Sequence, residues 1–304
     1  MIEKFKIDIP REKVSKIKEK VKNYPWNLIP NLPDWKHGTN LPYLKEICDY
    51  WIKDFNWSLY EKKINNFQNF KTNVDGINIH FIKEEGSGSN PKNLLLIHGW
   101  PGSVIEFIEI INQLAHPENY GGNKEDGVTV IAPSLPGFGF SESSNEPYGP
   151  RKIAEILNKM MTINLKYKNY VAQGGDWGAT IANWLGYDHD KYCKAIHINC
   201  LTMRHPDGPQ TDKEKKWQEK FDKDQIMQDG YRTQQATKPQ TLSYAMMDSP
   251  VGIAAWIIEK MHGWSDLKDG NIESVYSKDL LLANIMIYLC TDTFSTSTWI
   301  YFGR

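Results

Sequence analysis

The sequence predicts an α/β protein built around a mostly parallel sheet flanked by helices, and three observations support this fold class. Short apolar runs recur through the middle of the chain, at 94–97, 128–131, 170–172 and 195–198. Such runs are typical of strands that are buried on both faces of a parallel sheet. Helical patterns separate the runs, as expected when strands and helices alternate. Glycine-containing turns follow three of the runs, at the points where strands are expected to end.

Composition excludes several classes of protein. The chain has 304 residues, with 36 Lys+Arg and 37 Asp+Glu, so its net charge is −1. Because there is no excess of positive charge to attract phosphates, we expect no nucleic-acid partner. An apolar fraction of 40% and an aromatic fraction of 12% exclude a disordered chain. No stretch approaches the roughly 18 consecutive apolar residues of a membrane span, so no membrane partner is expected either.

The N-terminal segment, residues 1–75, is predicted to be helical. Apolar residues recur at helical spacing over 14–21 and again over 44–51. Pro10 stands where a first helical turn tolerates proline, and Pro25 ends the first periodic run. We expect this segment to act as a packing arm rather than as a separate functional module.

The rest of the chain is predicted to divide into a sheet core and a cap. Residues 76–200 form the predicted core, which opens with a strand of alternating pattern at 76–81. Beyond it the stretch 206–230 is highly charged and polar, and helical patterns follow as far as residue 290. We therefore predict that residues 201–304 form a helical cap over the sheet.

The sharpest chemical signal is the sequence GGDWG at 174–178, between a predicted strand and a predicted helix. A small-x-nucleophile-x-small pattern in this place is typical of a nucleophile elbow, whose tight turn requires glycine. The central residue is Asp176, and a carboxylate is ionised at neutral pH and needs no base before it attacks. It suits displacement at a saturated carbon, through an ester on the enzyme. The pentapeptide alone also fits an aspartate that caps a helix.

A second turn, HGWPG at 98–102, follows the apolar run 94–97. A glycine-rich turn here and the residue after the nucleophile, Trp177, are the places that supply backbone N–H groups to an oxyanion hole. An ordinary strand-to-helix turn is the alternative. His98 is expected to be a structural hydrogen-bonding residue, and a third turn, at 133–139, is expected at the rim of the same site.

Together these motifs resemble the epoxide hydrolases of the α/β-hydrolase fold, specifically the microsomal and juvenile-hormone type. The resemblance runs through almost the whole chain, including the N-terminal segment, the HGWPGS and GGDWG turns and the cap stretches at 230–231, 237–239 and 248–252. It implies hydrolysis of a small apolar epoxide by water, which yields a vicinal diol.

The resemblance also implies roles for individual residues. Asp176 matches the nucleophile that opens the epoxide and forms the ester intermediate. Trp100 and Trp177 match the residues whose backbone N–H groups form the oxyanion hole. Tyr231 and Tyr301 match the two cap tyrosines whose hydroxyls hydrogen-bond the epoxide oxygen, in line with the need for a donor as alkoxide charge develops.

The chain departs from the family pattern towards its end. The family usually has an arginine two residues before the second cap tyrosine, where this chain has Trp299. Its acid and histidine, which hydrolyse the ester, lie downstream of the cap. None of the later histidines of this chain follows a late core strand; they are His189, His197, His205 and His262. We therefore expect a fragment without the C-terminal strands, or a variant without its hydrolytic half, that is alkylated once without releasing diol.

Two other functions remain open from sequence. A haloalkane-type dehalogenase also has an aspartate nucleophile followed by tryptophan, whose indole N–H holds the halide. Tyr231 and the N-terminal segment favour the epoxide reaction over that alternative. A non-catalytic binding protein would hold an apolar ligand and leave Asp176 unmodified. A serine esterase is disfavoured because the elbow carries no serine.

The remaining reactive residues indicate no cofactor. The four cysteines lack the spacing of a zinc site or of a disulfide framework, and they are expected to be free thiols: Cys48, Cys193, Cys200 and Cys290. No cluster of His, Cys and carboxylates has the spacing of metal ligands, so neither a metal nor an organic cofactor is expected. The first residues lack the apolar core of a signal peptide, which predicts a cytoplasmic protein.

Overall fold

The structure is a computed structural model that describes residues 1–201 and 205–303. In these ranges one sheet contains seven strands, in the spatial order β1-β2-β3-β5-β4-β6-β7. The strands are β1 Ile2–Lys4, β2 Gln68–Val74, β3 Ile77–Glu84, β4 Asn93–Ile97, β5 Thr129–Pro133, β6 Tyr170–Gly174 and β7 Cys193–Ile198.

The sheet is mixed rather than mostly parallel. β4 pairs in parallel with β5 and β6, and β6 pairs in parallel with β7. The pairings β1–β2, β2–β3 and β3–β5 are antiparallel. The four apolar runs of the sequence therefore form the parallel half, as predicted, and the first three strands extend it on one side by antiparallel pairing. The predicted burial is wrong for β7, which is the edge strand and is exposed over 194–197.

The prediction of a wholly helical N-terminal segment is wrong for β1 and β2. The buried positions of β2 include Asn69 and Thr72, and these polar residues interrupt the apolar alternation that normally indicates a strand. Their burial is compensated by hydrogen bonds, as buried polar groups require. Asn69 Oδ1 lies 2.9 Å from Nε2 of the buried His80, and the Asn164 amide donates to Thr72 Oγ1 over 2.7 Å.

The α-helices of the described ranges confirm most of the helical predictions. The run at 104–114 is the exception, because it divides into a short 3₁₀ helix, Val104–Phe107, and one α-helical turn. The α-helices are α1 Arg11–Lys22, α2 Leu41–Lys53, α3 Trp57–Asn65, α4 Ile111–Ala115, α5 Pro150–Lys159, α6 Trp177–Asp188, α7 Asp212–Gln228, α8 Gly230–Thr237, α9 Pro239–Met246, α10 Pro250–Gly263, α11 Lys278–Thr291, α12 Phe294–Ser297 and α13 Trp299–Phe302.

The N-terminal helices pack against two late helices of the chain. α1 contacts α10 and α11, and α2 and α3 both contact α11. Ion pairs join Lys20 to Asp248 and Lys13 to Asp292 across this interface. In α11 every side chain from 281 to 290 is buried, as expected of a helix that is enclosed on all sides.

The order of the strands determines where a site can form. β4 lies between β5 and β6, so the parallel strands extend from β4 in both directions. The carboxyl ends of β4 and β6 are adjacent, since Ile97 is paired with Gly174. Ligands of open α/β sheets bind outside the carboxyl ends of the strands at such a switch point. None of the helices within the described ranges combines the length and the apolar character needed to cross a bilayer.

Candidate active site

Asp176 occupies a sharp turn between β6 and α6. The strand ends at Gly174 and the helix begins at Trp177, so only two residues connect them. Asp176 has φ 51° and ψ −126°, a conformation that residues with a side chain rarely adopt. The turn therefore holds the carboxylate in a strained position at the end of the sheet, which is the geometry of a nucleophile elbow.

Two glycines make this turn possible. A Cβ atom on Gly174 would lie 2.1 Å from the carbonyl oxygen of Gly178. A Cβ atom on Gly178 would lie 2.0 Å from the carbonyl oxygen of Ile97 at the end of β4. Both distances are far shorter than any permitted contact, so the glycines of the GGDWG motif are required by the close approach of the backbone.

The turn after β4 meets Asp176 from the other side. The backbone N–H of Trp100 donates to Asp176 Oδ1 over 2.8 Å, and the backbone N–H of Trp177 donates to the same carboxylate. A Cβ atom on Gly99 would lie 2.3 Å from Asp176 Oδ1, so glycine is needed here as well. The structure thus brings both predicted backbone donors to one side chain.

Desolvation by the surrounding protein controls the charge of Asp176. The carboxylate is solvent-accessible through the cavity that it lines, but the protein surrounds it closely enough that desolvation raises its pKa to about 6. The N–H bonds from Trp177 and Trp100 oppose this shift by stabilising the charged form. The side chain is therefore mostly ionised at neutral pH.

The two predicted cap tyrosines lie beside this carboxylate. Tyr231 belongs to α8 and Tyr301 to α13, and their rings lie 5.7 Å apart at 84°. The Tyr231 ring stacks on Trp100 at a centroid distance of 5.4 Å, and the Tyr301 ring contacts Trp177 edge-on at 4.8 Å. The tyrosines therefore pack on the two residues that supply the backbone donors.

Both phenols are protonated hydrogen-bond donors at neutral pH. Desolvation raises the pKa of Tyr231 to about 12 and that of Tyr301 well above its ordinary value, and the nearby charge of Asp176 raises both further. The Tyr301 hydroxyl is buried and has no hydrogen-bond partner among the described residues. It lies close enough to the Tyr231 hydroxyl and to the Trp177 side chain to influence its pKa, but not in the geometry of a hydrogen bond. A buried donor without a partner is costly, so Tyr301 provides a vacant donor at this site.

Asp176 and the tyrosines line a cavity of about 1220 Å³. Cys200 and Leu201 border it, and the pair formed by Arg151 and Asp188 stands at its rim, with N···O distances of 2.7 and 2.8 Å. The cavity has several aromatic side chains in its wall: Trp177, Trp184, Trp217, Phe221, Tyr231 and Tyr301. Such a wall suits an apolar ligand.

His98 and the third turn lie behind the site rather than in it. The His98 Nε2 atom accepts the backbone N–H of Leu135 over 3.1 Å, and Nδ1 lies 3.0 Å from the carbonyl oxygen of Gly99. Burial lowers the pKa of this imidazole to about 4, so the ring is neutral and structural. Residues 133–139 are buried and do not belong to the cavity wall, which corrects their predicted place at the rim. They support the turn that carries Trp100.

Comparison with known proteins places the chain in a family. A model described as "Epoxide hydrolase N terminus" matches residues 2–107, and one described as "alpha/beta hydrolase fold" matches residues 92–246. A putative epoxide hydrolase of Stigmatella aurantiaca is 38% identical over 301 residues, which cover 98% of this chain and 68% of that protein. Epoxide hydrolase 1 of Sus scrofa is 34% identical over 329 residues, with 99% of this chain and 72% of that protein covered. The chain belongs to the epoxide hydrolase family.

Solved structures of other epoxide hydrolases share this fold. The juvenile hormone epoxide hydrolase of Bombyx mori superposes with a TM-score of 0.88 at 30% identity, over 100% of this chain and 77% of that one. The epoxide hydrolase of Aspergillus niger gives a TM-score of 0.87 at 26% identity, over 99% and 78% of the two chains. The predicted α/β-hydrolase fold and the predicted enzyme family are confirmed.

Two ionisable residues near the site of this epoxide hydrolase were missed from sequence. Glu106 is exposed to solvent, but the protein surrounds its carboxyl group closely enough that desolvation, together with the charge of Asp176, raises its pKa to about 8. The sequence pattern that could have drawn attention to Glu106 is Ser-x-x-Glu, which begins at Ser103 and is typical of a capping box. Lys260 is buried, and its ammonium lies 5.0 Å from the ring centroid of Tyr231, a cation–π contact that helps to fix the ring. No local pattern marked Lys260.

The described residues of this epoxide hydrolase contain no group of three or more His, Cys, Asp or Glu that could hold a metal ion. Asp176, the two backbone N–H groups that donate to it and the phenols of Tyr231 and Tyr301 lie together at this cavity. This set can attack an electrophilic carbon and donate hydrogen bonds to the oxygen that leaves it.

Proposed function

We propose that Asp176 is the nucleophile of an epoxide hydrolase reaction that proceeds through an ester intermediate. The supporting observation is the pairing of a carboxylate that accepts two backbone N–H groups with a buried, unpartnered phenol, that of Tyr301. The carboxylate provides the attacking oxygen and the phenol provides a donor for the oxygen that the attack releases.

In the first step an Asp176 carboxylate oxygen forms a bond to one ring carbon of the epoxide. The bond between that carbon and the ring oxygen breaks, and its electron pair stays on the oxygen as an alkoxide. Tyr231 and Tyr301 donate hydrogen bonds to this oxygen, and one of them supplies the proton that makes it a hydroxyl group. The resulting tyrosinate recovers a proton from water. The product of this step is a glycol ester on Asp176.

In the second step water adds to the ester carbonyl carbon and loses one proton to bulk water, and the carbonyl oxygen becomes an oxyanion. Without a base to take that proton the step is slow, so the ester of the first step should accumulate. The N–H groups of Trp100 and Trp177 already point at the Asp176 carboxylate, so they need little reorganisation to stabilise this charge. Collapse of the tetrahedral intermediate breaks the bond to the glycol oxygen, which takes up a proton and leaves as a diol.

The ionisation states support the same assignment. The pKa of about 6 leaves Asp176 mostly charged at neutral pH, while the raised pKa values of the tyrosines keep both phenols protonated. A charged nucleophile and neutral donors are the states that epoxide opening requires. The aromatic wall of the cavity supports a small apolar epoxide as the substrate.

The proposal is tested by the covalent adduct. The protein is incubated with styrene oxide, quenched in acid and digested, and we expect a peptide containing Asp176 to gain the mass of the epoxide. Asp176→Asn should remove this label. Asp188→Asn is the matched control, since Asp188 also lines the cavity but forms an ion pair with Arg151, and this variant should keep the label. A label that persists in Asp176→Asn, or no label in the unsubstituted protein, contradicts the proposal.

One observation is consistent with the dehalogenase alternative. The indole N–H of Trp100 is buried and has no partner among the described residues, and an indole N–H is the kind of donor that can hold a halide. The two phenols beside the carboxylate nevertheless favour an oxygen leaving group. Incubation with 1-bromobutane should therefore release no bromide above the uncatalysed rate, and rapid release would support the alternative.

A further inference from the structure

The buried helix α11 contacts the turn that carries the Trp100 N–H. The amide nitrogen of Asn284 donates to the carbonyl oxygen of Pro101 over 2.7 Å, and the Tyr288 hydroxyl donates to the carbonyl oxygen of Gly102 over 2.5 Å. Two successive carbonyl groups immediately after Trp100 are thus held by side chains about 180 residues away in sequence.

A third hydrogen bond completes this contact. The Ser103 hydroxyl donates to the Asn284 amide oxygen over 2.9 Å, so both ends of the amide are used. Asn284 and Tyr288 are four residues apart, which places them on one face of the helix. All three side chains are almost fully buried, with 5% of Asn284, 1% of Tyr288 and 2% of Ser103 exposed, so each bond is shielded from water.

The peptide unit that carries the Trp100 N–H is fixed in the same way. Its carbonyl oxygen belongs to Gly99 and lies 3.0 Å from His98 Nδ1, while its N–H donates to Asp176. Because a peptide unit is planar, the position of the carbonyl constrains the direction of the N–H. The bonds from α11 then limit movement of the residues that follow.

We propose that Asn284 and Tyr288 are positioning residues, which hold the turn at 98–103 so that the Trp100 N–H stays directed at Asp176. This inference rests on the proposed role of Asp176 as the nucleophile. The side chains touch neither the carboxylate nor the cavity in the described structure. They act through the backbone of the turn.

The test compares two substitutions that each remove one buried hydroxyl. Tyr288→Phe removes the donor to Gly102, whereas Tyr170→Phe removes a hydroxyl that donates to Asn158 Oδ1 over 2.9 Å in the core. For each variant we measure the rate of ester formation with styrene oxide, the melting temperature, and the pKa of Asp176 from the ¹³C shift of its carboxyl carbon.

We expect Tyr288→Phe to lower the rate of ester formation by about tenfold to a hundredfold, as small misplacements of catalytic groups do. The pKa of Asp176 should rise, because a displaced N–H stabilises the carboxylate less. Tyr170→Phe should lower the melting temperature by a similar amount and leave the rate and the pKa unchanged. Asn284→Leu should also lower the rate of ester formation and raise the pKa of Asp176. If Asn284→Leu does not fold, the result for Tyr288→Phe decides the outcome.

The proposal is overturned if Tyr288→Phe changes only the melting temperature, as Tyr170→Phe does, since that result describes a purely structural residue. The NMR measurement separates this failure from failure of the proposed function. If the unsubstituted protein forms no ester but Tyr288→Phe still raises the pKa of Asp176, the nucleophile assignment fails and the positioning role stands.

Discussion

The backbone nitrogen of Trp100 lies 2.8 Å from Oδ1 of Asp176. This contact joins the turn after β4 to the turn after β6, which are adjacent at the carboxyl edge of the sheet. The donor is a backbone group, so it is fixed by the path of the chain rather than by a side-chain rotamer. The turn after β6 holds the Asp176 backbone in a strained conformation, and the turn after β4 supplies the Trp100 N–H to its carboxylate. The reactivity of the carboxylate therefore depends on both turns.

The rate of ester formation should depend on pH through Asp176. Only the carboxylate form attacks, and its pKa is raised to about 6 by desolvation. We expect the rate to reach a plateau above neutral pH, to fall to half near pH 6 and to decline further as the group is protonated. Quenched time courses of the styrene oxide adduct, read by mass spectrometry, provide the profile. A midpoint near the ordinary pKa of an aspartate would show that desolvation is not the controlling effect.

Asp176→Asn should raise the melting temperature at neutral pH. The folded protein disfavours the charged carboxylate, so stability is lost as the pH rises from the ordinary pKa of 3.8 towards the folded value of about 6. The gain from the substitution should therefore be largest above pH 6 and should vanish at a pH below 3.8, where the aspartate is protonated in both states.

A carboxylate with the opposite shift provides the control for this stability measurement. The ion pair with Arg151 lowers the pKa of Asp188, so Asp188→Asn should not raise the melting temperature at neutral pH. Scanning calorimetry of the two variants across this pH range gives both curves. A stabilisation of Asp176→Asn that is independent of pH would contradict the linkage argument, because uncharged packing effects do not titrate.

Removing the hydroxyl of Tyr231 or of Tyr301 should slow the opening of the epoxide. Tyr231→Phe and Tyr301→Phe each keep the ring packing on Trp100 and Trp177 but remove one donor to the developing alkoxide. Loss of one such donor costs about 100-fold to 1000-fold in rate. The rate of adduct formation measures the effect, and Tyr244→Phe, at a tyrosine that is 79% exposed, should leave it unchanged. Equal rates of adduct formation in all three variants would show that the phenols take no part in the mechanism.

The features that could be predicted from sequence are those that depend on local backbone sterics. The GGDWG and HGWPG turns could be recognised because their glycines are required by close approach, as with Gly178 against Ile97. The parallel strands were recognisable because each contains a short apolar run. β2 was missed because Asn69 and Thr72, both polar, occupy buried positions in it.

Residues that act across long sequence separations had no comparable signal. Asn284 and Tyr288 lie in the buried run 281–290 of α11, whose other residues are apolar. Nothing near them in sequence indicates that they contact Pro101 and Gly102. Lys260 had no sequence signal either, because its contact with Tyr231, 29 residues away in sequence, exists only in the folded chain. Such contacts depend on tertiary packing, which a local pattern does not encode.

Gly178→Ala should destabilise the fold as well as the site. The added methyl group would lie 2.0 Å from the carbonyl oxygen of Ile97 and 2.9 Å from that of His98. Both neighbours are backbone atoms at the end of β4, so neither can rotate away as a side chain would. We expect a loss of about 3 kcal/mol in the free energy of unfolding, at the upper end of the usual cost of overpacking, measured by urea denaturation.

Gly230→Ala is the matched control for this substitution, because nothing lies within 4 Å of its added methyl group and the residue begins α8. Alanine favours a helix over glycine, so stability should change by less than about 1 kcal/mol. If Gly178→Ala were as stable as Gly230→Ala, α6 would have to move away from β4. That movement would carry Asp176 away from the Trp100 N–H, and the variant should then form the ester slowly despite its stability. A variant that is both stable and fully reactive would show that the tight elbow is not required.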